Sequence, residues 1–363
     1  MELTEKERQY LIERLENGET IPPDFKYKLF PTQQKEYELS YAGKMRKEDI
    51  LANEDGVFPV PLQVEKVFNG ERELFDDGWR NMVVFGDNLQ FLKTIYHNQD
   101  ELIKNKVKGK VKLIYIDPPF GTASDFDAST GQVAYTDKAK GADFVEFIRR
   151  RLIVAKELLA SDGSIFVHLD YKKVHYIKLI LDEVFGENNF RNEIIWKRKG
   201  GSANPQNRLG VVTDSILWYS KSSVLQVKSQ FTIEADEVKK YVKERFNNKE
   251  DDGRLFMLAP IERNETLGLR ENLRYEYNGY TPKWGWMVSK VKLVAFEQQG
   301  KLHWNKNNRP NRKVYLDEYQ GQPIQNLWND IFVINPMSSE RVNYPTQKPE
   351  ELLKRILQLA TQE

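Results

Sequence analysis

Several features that define common protein classes are missing from this sequence. The chain of 363 residues contains no cysteine, which excludes disulfide bonds, thiolate nucleophiles and cysteine-ligated zinc. It has only four histidines, and none of them are paired at the spacing of metal ligands. No apolar run reaches the roughly 18 residues that a membrane span needs, and the charged N-terminus does not resemble a signal peptide. These absences predict a soluble, cytoplasmic protein without a metal site.

The sequence also lacks an excess of charge of either sign. It has 55 Lys and Arg residues and 54 Asp and Glu residues, so the overall charge does not indicate a nucleic-acid partner. A local excess does occur between residues 191 and 230, where seven basic residues accompany two acidic ones. Charged stretches are usually solvated surface, so this excess alone does not assign a binding site.

Hydrophobic patterning divides the chain into an N-terminal extension and an α/β region. The extension contains a short helix and extended, proline-rich segments. From residue 81 onward, short apolar strands alternate with amphipathic helices, which is typical of a doubly wound sheet. The predicted strands are 81–87, 111–117, 164–170 and 192–197. Residues 121–141 are rich in Gly, Ser, Thr, Asp and Ala and are predicted to form a mobile loop.

The alternation of strands and helices stops after Lys197. The residues that follow, to about 335, mix short strands, a charged helix and a tryptophan-rich part, which is typical of an inserted domain. The end of the chain is regular again, because Pro349 opens an amphipathic helix.

The sequence Asp117-Pro118-Pro119-Phe120 directly follows the second predicted strand. In open α/β sheets, ligands bind beyond the carboxyl ends of the strands, so Asp117 stands where a ligand is expected. The two prolines remove two backbone donors and make the turn rigid, which leaves their carbonyl groups as fixed acceptors beside the carboxylate. Phe120 adds an aromatic face nearby.

These groups are suited to binding a planar base that carries an exocyclic amine. The Asp117 carboxylate and the Pro118 carbonyl can accept the two hydrogens of the amine, while Phe120 stacks on the ring. Holding both hydrogens favours a pyramidal nitrogen whose lone pair points at an electrophile. A base in a duplex must leave the stack to reach such a pocket. The plain alternative is a proline turn at a strand end, without a chemical role.

Several sequence blocks occur in the order found in one enzyme family. DPPF after LIYI resembles the catalytic motif of amino-methyltransferases that act on DNA, with VVFGDNLQFLK before it and YPTQKPEELLKRI late in the chain. This order resembles the beta-class, permuted DNA adenine-N6 methyltransferases. The segment YELSYAGKMRKEDILA resembles the modification subunits of type III restriction-modification systems. The similarity covers about residues 33–198 and 336–361.

The resemblance implies a fold, a reaction and partners. The implied fold class is α/β, a Rossmann-like methyltransferase fold that is circularly permuted and incomplete, with an inserted target-recognition domain. The implied reaction is methyl transfer from S-adenosylmethionine to N6 of a flipped adenine. The implied partners are double-stranded DNA, a second copy in a homodimer, and a restriction subunit. Two alternatives stay open: cytosine-N4 methylation, and a non-catalytic DNA-binding or assembly fragment that needs a second chain to bind the cofactor.

The resemblance also assigns domains and site residues. The expected domains are the extension 1–75, a catalytic part 76–198, a target-recognition insertion 199–335, and the start of a cofactor-binding part 336–363. The expected target-base pocket is Asp117, Pro118, Pro119 and Phe120. The expected cofactor site is Asp87, Asn88, Thr346, Gln347, Lys348 and Pro349. The expected DNA-binding residues are Lys197, Arg198, Lys199 and Arg208. Ordinary alternatives are a helix cap at Asp87 and solvated basic side chains.

Two further polar residues lie at the end of the predicted strand 164–170. Asp170 ends this strand, and His168 lies two residues earlier on the same strand face. Both are expected to pack or to form hydrogen bonds rather than to take part in catalysis.

One block of the family pattern is not found in the sequence. A glycine-rich cofactor loop of the form D-x-F-x-G-x-G is expected after the TQKP helix, and no segment of this chain matches it. In the family, that part supplies the first strand and the loop that binds S-adenosylmethionine. We therefore expect a truncated gene product or one half of a split enzyme, with a sheet that exposes apolar edges.

The isolated chain is predicted to bind S-adenosylmethionine weakly or not at all, because the glycine-rich loop is missing. Isothermal titration calorimetry of the isolated chain with S-adenosylmethionine measures this directly. Binding in the micromolar range would contradict the prediction.

Overall fold

The structure is a computed structural model of this chain. It describes residues 3–22, 25, 38–68, 71, 75, 79–118, 125–127, 133–136, 141–201, 207, 209–225, 227, 229–342, 344 and 346–361. The helices are α1 Glu5–Glu16, α2 Lys47–Leu51, α3 Asn88–His97, α4 Gly141–Leu158, α5 Val174–Phe185, α6 Asp236–Arg245, α7 Lys290–Gln298 and α8 Glu350–Ala360. Within these described ranges, no helix is long and apolar enough to cross a membrane.

The strands belong to one mixed sheet and several smaller antiparallel sheets. They are β1 Val111–Ile116, β2 Asp125–Asp127, β3 Val133–Thr136, β4 Leu159–Leu169, β5 Phe190–Lys197, β6 Thr213–Ser220, β7 Phe231–Thr232, β8 Asn248–Lys249, β9 Leu255–Pro260, β10 Leu302–Trp304, β11 Pro310–Tyr315, β12 Gln322–Pro323 and β13 Leu327–Trp328. β2 and β3 pair within the predicted loop 121–141, and the other residues of that loop lie outside the described part.

The mixed sheet positions the candidate site. Its strand order is β1-β4-β6-β5-β13, with β4 parallel to β1 and β13 parallel to β5. β6 is antiparallel to both of its neighbours, β4 and β5. The carboxyl ends of β1, β4 and β5 and the start of β6 therefore lie along one edge of the sheet. Ligands of open α/β sheets bind at such an edge.

The two faces of the sheet pack against different helices. Ile165 and Val167 of β4 pack in a cluster with residues of α4 and α5. Phe166, between them, belongs to a second cluster that includes Leu352 and Ile356 of α8. This alternation follows the two-residue period of a strand. The predicted α/β fold with helices on both faces is therefore confirmed, and the sheet is a Rossmann-like sheet with one antiparallel strand.

β6 lies in the middle of this sheet, inside the stretch 199–335 that the sequence assigns to the inserted domain. Its residues from 214 to 220 are all buried. Both faces of the strand are buried, as expected for a central strand, although Asp214, Ser215 and Ser220 are polar. The main sheet therefore also contains residues 213–220, which follow Lys197 in the chain.

Residues 81–87 do not form the predicted strand. The segment is irregular up to the start of α3, and the side chains of Val83 and Phe85 are fully exposed. β1 is an edge strand, and among the described residues no strand pairs with its outer side. A β-branched and aromatic run of this kind forms a strand only when a neighbouring strand or helix buries it. The described part of the chain places no such neighbour over Val83 and Phe85.

A second antiparallel sheet, in the order β10-β11-β9-β8, lies in the inserted region. Its hydrophobic core contains Ile261, Tyr277, Trp286 and Leu293. The indole N–H of Trp286 donates to the carbonyl of Tyr275 at 2.8 Å, so its one polar atom is satisfied. This region therefore has a core of its own, separate from the clusters of the mixed sheet.

A buried ion cluster fastens the N-terminal extension to the α/β region. Asp55, whose side chain is fully buried, accepts hydrogen bonds from Lys93 of α3 and from Arg150 of α4. Burial by itself raises the pKa of Asp55, but the hydrogen bonds from Lys93 and Arg150 outweigh it and hold the pKa below its usual range. The carboxylate is therefore ionised at neutral pH and holds two cations from two helices.

Replacing Lys93 with methionine is predicted to destabilise the fold by roughly 3 kcal/mol, because it leaves a buried carboxylate with one cation fewer. Urea denaturation measures the free energy of unfolding. Lys47→Met is the matched control, because Lys47 also joins the extension to α4, through Glu157 at 3.2 Å, but that pair is exposed. The control is expected to lose under about 1 kcal/mol, and equal losses in both variants would contradict the role given to Asp55.

Candidate active site

Asp117 and Lys348 form an ion pair at the carboxyl end of β1. Lys348 Nζ donates to Asp117 Oδ2 at 2.5 Å, although 231 positions separate the two residues in the sequence. The side chain of Lys348 is 13% exposed and that of Asp117 is 27% exposed, so the pair is partly shielded from water. The structure therefore brings Asp117 of the DPPF block and Lys348 of the TQKP block together at one edge of the sheet.

The turn that carries Lys348 is held by hydrogen bonds to the preceding loop. The side-chain amide of Gln347 donates to the carbonyl of Glu340 at 2.8 Å and accepts from the N–H of Val342 at 2.9 Å. Lys348 also donates to the carbonyl of Thr346 at 3.2 Å. Pro349 is the N-cap residue of α8. Thr346, Gln347 and Pro349 thus shape the turn, and Lys348 points from it to Asp117.

α8 is fixed on the sheet by a second ion pair. Arg355 donates two hydrogen bonds to the carboxylate of Asp330, at 2.8 and 2.7 Å. Burial raises the pKa of Asp330, but the bond from Arg355 outweighs it and lowers the pKa below its usual range. Next to it, the indole N–H of Trp196 donates to the carbonyl of Ile331 at 2.7 Å. These contacts hold the helix that follows Lys348 against the end of β5.

Asp87 and Asn88 lie at the start of α3. The carboxylate of Asp87 accepts the N–H groups of Leu89 and Gln90, which is the ordinary N-cap arrangement. Arg151 of α4 donates to the side-chain oxygen of Asn88 at 2.6 Å and lies 3.5 Å from Asp87. Burial lowers the pKa of Arg151 to about 10, partly offset by Asp87. Within the described residues, no hydrogen bond or ion pair joins this cap to Asp117 or Lys348.

The predicted basic residues extend from the end of β5. Lys197, Arg198 and Lys199 are half-buried, and Arg198 Nε lies 3.2 Å from the carboxylate of Asp214 on β6. The backbone of Arg198 donates to Val212 and accepts from Val333, so it is held between two loops. Arg198 is therefore an ion-pair partner in the structure. Pro119, Phe120 and Arg208 lie outside the described residues.

The structure adds a polar group that the sequence did not assign to the site. Tyr115 of β1 lies with its hydroxyl 2.8 Å from His168 Nδ1, and His168 Nε2 lies 3.3 Å from Asp214. Burial raises the pKa of the Tyr115 phenol, with smaller contributions from Asp117 and Asp214. The only signal for this group in the sequence was that Tyr115 and His168 each lie two residues before an aspartate at a predicted strand end. That spacing does not show that the two strands pair with each other.

The remaining carboxylate at this edge, Asp170, caps the turn after β4. Its Oδ1 accepts the N–H groups of Lys172 and Lys173 at 3.0 and 3.1 Å. Burial raises its pKa despite these bonds. Among the described residues, no group of three or more His, Asp and Glu could hold a metal ion. The expected hydrogen-bonded role of Asp170 agrees with this geometry.

Comparison with known proteins places this geometry in a family. A family model described as DNA methylase, for the N6 and N4 enzymes, matches residues 111–363. The matched range includes Asp117, Lys348 and the whole mixed sheet. The chain belongs to the N6/N4 DNA methylase family.

Two curated relatives of this DNA methylase are a type II methyltransferase and a subunit of a type III restriction-modification enzyme. The type II methyltransferase M.EcaI of Enterobacter cloacae is 31% identical over 335 residues, which are 88% of this chain and 66% of the relative. The type III enzyme StyLTI Mod subunit of Salmonella typhimurium is 26% identical over 319 residues, which are 77% of this chain and 46% of the relative. The chain thus spans about two thirds of the first relative and about half of the second.

Two solved structures show partial similarity to this chain. The M1.HpyAVI complex with SAM is 21% identical, covers 41% of this chain and 57% of its own, and has a TM-score of 0.26. The PvuII DNA methyltransferase, described as cytosine-N4-specific, is 16% identical, covers 39% and 50%, and has a TM-score of 0.27. These scores are low, and the fold of this methylase follows from its own sheet.

Replacing Lys348 of this DNA methylase with methionine keeps the apolar stem but removes the cation from Asp117. The stability loss is predicted to be about 1–2 kcal/mol, because the hydrogen bond to a charged group is partly buried. Thermal unfolding followed by calorimetry measures it. Lys112→Met is the control: its pair with Asp162 is equally short at 2.5 Å but is 55% and 38% exposed, so less than about 1 kcal/mol is expected. A Lys348 effect no larger than this control would contradict the shielded ion pair.

Proposed function

We propose that this chain is the catalytic part of a DNA methyltransferase that transfers a methyl group from S-adenosylmethionine to N6 of adenine in duplex DNA, within a restriction-modification system. The observation that carries the proposal is the Lys348–Asp117 ion pair at the carboxyl edge of the sheet. It joins the two sequence blocks to which the family resemblance assigns the target base and the cofactor. Membership of the DNA methylase family and the restriction-modification relatives support the same reaction.

In this proposal, the protein holds the exocyclic amine rather than deprotonating it with a strong base. The Asp117 carboxylate accepts one N–H of the flipped base, and the Pro118 carbonyl accepts the other. Lys348 pairs with the carboxylate and fixes the direction in which its oxygens point. The nitrogen lone pair then points away from both acceptors, at the position from which a methyl group is delivered. Phe120 is the proposed stacking ring.

The cofactor S-adenosylmethionine supplies the electrophilic methyl group when it is bound. Lys348 is suited to contacting its carboxylate, because an ammonium group has three donors and the described residues engage two of them, through Asp117 and Thr346. Gln347 and Pro349 would hold the turn that presents Lys348. Asp87 and Asn88 would line the same site from the start of α3, where the side chain of Asp87 is half exposed.

Duplex DNA would meet the sheet edge where β5 ends. Lys197, Arg198 and Lys199 extend from this strand, and Arg208 follows in the same basic stretch. Basic side chains at such a place can contact phosphates and orient the duplex without reading its sequence. The inserted region, with its own core, is the proposed target-recognition part. A restriction subunit and a second copy of the chain are the proposed protein partners.

Two alternatives rest on particular observations. Cytosine also carries an exocyclic amine, so the same acceptors could hold N4 of cytosine; an aspartate rather than a serine at position 117 favours adenine by resemblance. A non-catalytic subunit is supported by the sequence, which contains no match to the glycine-rich cofactor loop. Each alternative predicts a different product from the same assay.

Asp117→Ala is predicted to lower methyl transfer by about 100-fold or more, because it removes a positioned acceptor of the reacting amine. The assay incubates the chain with unmethylated duplex DNA and a high concentration of labelled S-adenosylmethionine, because binding of this cofactor is predicted to be weak, and then identifies the modified nucleoside by mass spectrometry. Asp162→Ala is the matched control, since Asp162 also pairs with a lysine but lies at the opposite end of β1. This control is expected to keep the wild-type rate.

The modified nucleoside distinguishes the proposed adenine methyltransferase from its two alternatives. N6-methyladenine supports the proposal, and N4-methylcytosine would replace adenine by cytosine as the target. DNA binding without any modified base in the wild type would favour the non-catalytic subunit. Full activity of Asp117→Ala would show that the base pocket lies elsewhere.

A further inference from the structure

A line of polar side chains crosses the mixed sheet beneath the turn that carries Lys348. It runs from Tyr115 on β1 to His168 on β4, then to Asp214 on β6 and to Arg198 at the end of β5. The hydroxyl of Tyr115 lies 2.8 Å from His168 Nδ1, His168 Nε2 lies 3.3 Å from Asp214 Oδ2, and Arg198 Nε lies 3.2 Å from Asp214 Oδ1. The first two links join residues on adjacent strands, and Arg198 directly follows β5, the neighbour of β6. None of these contacts is used in the proposed reaction.

The middle of this polar line is buried among aromatic and aliphatic side chains. His168 is fully buried, and Asp214 is 6% exposed. Trp196 packs edge-on against the imidazole at 5.5 Å between ring centroids. On the same face of the sheet, Phe166 and Ile216 are buried apolar residues. Burying polar groups is unfavourable unless all are paired, and an apolar side chain would fill such a position at least as well. Stability alone therefore does not explain the polar line.

Both nitrogens of the imidazole are engaged. Nε2 faces the carboxylate of Asp214, and Nδ1 faces the hydroxyl of Tyr115. Asp214 is also held from the other side by the charge of Arg198. The imidazole is thus fixed in orientation, and with it the side chain of Tyr115.

Tyr115 connects this line to the proposed base pocket. It lies two residues before Asp117, so both side chains leave β1 on the same side. The strand ends at Ile116, and within the described residues β1 pairs with β4 alone. A strand end held on one side only depends on side-chain contacts for its position. The contact between Tyr115 and His168 joins the last residues of β1 to β4, directly before Asp117.

We propose that Tyr115 and His168 are positioning residues that hold the end of β1, so that the Asp117 carboxylate and the Pro118 carbonyl face the exocyclic amine of the flipped base. This inference rests on the proposed function of the same site. Asp214 orients His168, and Arg198 anchors Asp214 at the edge that would face DNA. Neither Tyr115 nor His168 touches the reacting atoms.

Tyr115→Phe tests this with the smallest change, because it removes one hydroxyl and keeps the ring. The matched control is Tyr219→Phe: Tyr219 lies on β6 of the same sheet, packs on the opposite face and donates to Asp182 at 2.6 Å. Amide hydrogen exchange measured by mass spectrometry is the first readout and needs neither DNA nor cofactor. In Tyr115→Phe, but not in Tyr219→Phe, exchange in the peptide covering 113–118 is expected to rise by about threefold or more. Tyr115→Phe lacks the bond to His168, so local opening of the strand end costs less free energy.

Methyl transfer to unmethylated duplex DNA is the second readout. Tyr115→Phe is expected to lower kcat by about tenfold or more, because misplacing a catalytic group by even 1 Å slows the reaction strongly. The KM for DNA is expected to change by less than about twofold, because phosphate contacts supply most of the binding. His168→Asn keeps a polar atom near the position of Nδ1 and is expected to retain more of kcat than His168→Gln, whose polar atoms lie nearer the position of Nε2.

The outcomes separate the inference from the proposed function. Unchanged exchange at 113–118 together with unchanged kcat in Tyr115→Phe would overturn the inference. Equal effects of Tyr219→Phe would also overturn it, since they would indicate general loosening of the sheet. If the wild type transfers no methyl group while the exchange difference is present, the proposed function fails and the positioning of Asp117 by Tyr115 and His168 is retained.

Discussion

The ion pair between Lys348 and Asp117 is the interaction on which the candidate site depends. It closes a loop of more than two hundred residues, so it exists only when β1 and α8 lie on the same part of the sheet. The helix after Lys348 is held by Arg355 and Asp330, and the strand before Asp117 is held by β4. The two halves of the site are thus positioned by separate elements. The lysine and the carboxylate meet because β1 ends and α8 begins at the same edge of the sheet.

Buried charge is used in this protein where distant segments must be aligned. Asp55 holds cations from α3 and α4, and Asp330 holds the guanidinium of α8. Asp214 lies 3.3 Å from His168, near the proposed base pocket. Such groups add little to stability in comparison with apolar packing, but they have directed bonds that allow one register and exclude others. In the proposed function, directed hydrogen bonds of the same kind hold the exocyclic amine of the base at a fixed angle.

Much of the site could be found in the sequence because its signals are local. An apolar strand followed by an acid and two prolines places a carboxylate at a strand end, and the physical reason requires only neighbouring residues. The amphipathic helix predicted after Pro349 is present as α8, in which Leu352 and Ile356 are buried, whereas Leu353 and Leu357 of the same apolar stripe are exposed. The strand predicted for residues 81–87 was wrong, because its apolar side chains have no partner in the described part of the chain. β6 was missed because its sequence mixes Asp and Ser with apolar residues, so neither an apolar run nor an alternation marks this strand, although both of its faces are buried.

The sequence by itself determined the α/β character, the placement of Asp117 at a strand end and the family blocks, since each depends on residues close together in the chain. Only the tertiary structure decided which of those residues meet. In the folded chain, Lys348 pairs with Asp117, and Tyr115 contacts His168, which in turn contacts Asp214. Arg198 forms an ion pair with Asp214. The physical reason is that hydrophobic periodicity and proline geometry are local properties. The pairing of side chains on strands that are far apart in the sequence depends on strand order and register, which arise only when the whole sheet assembles.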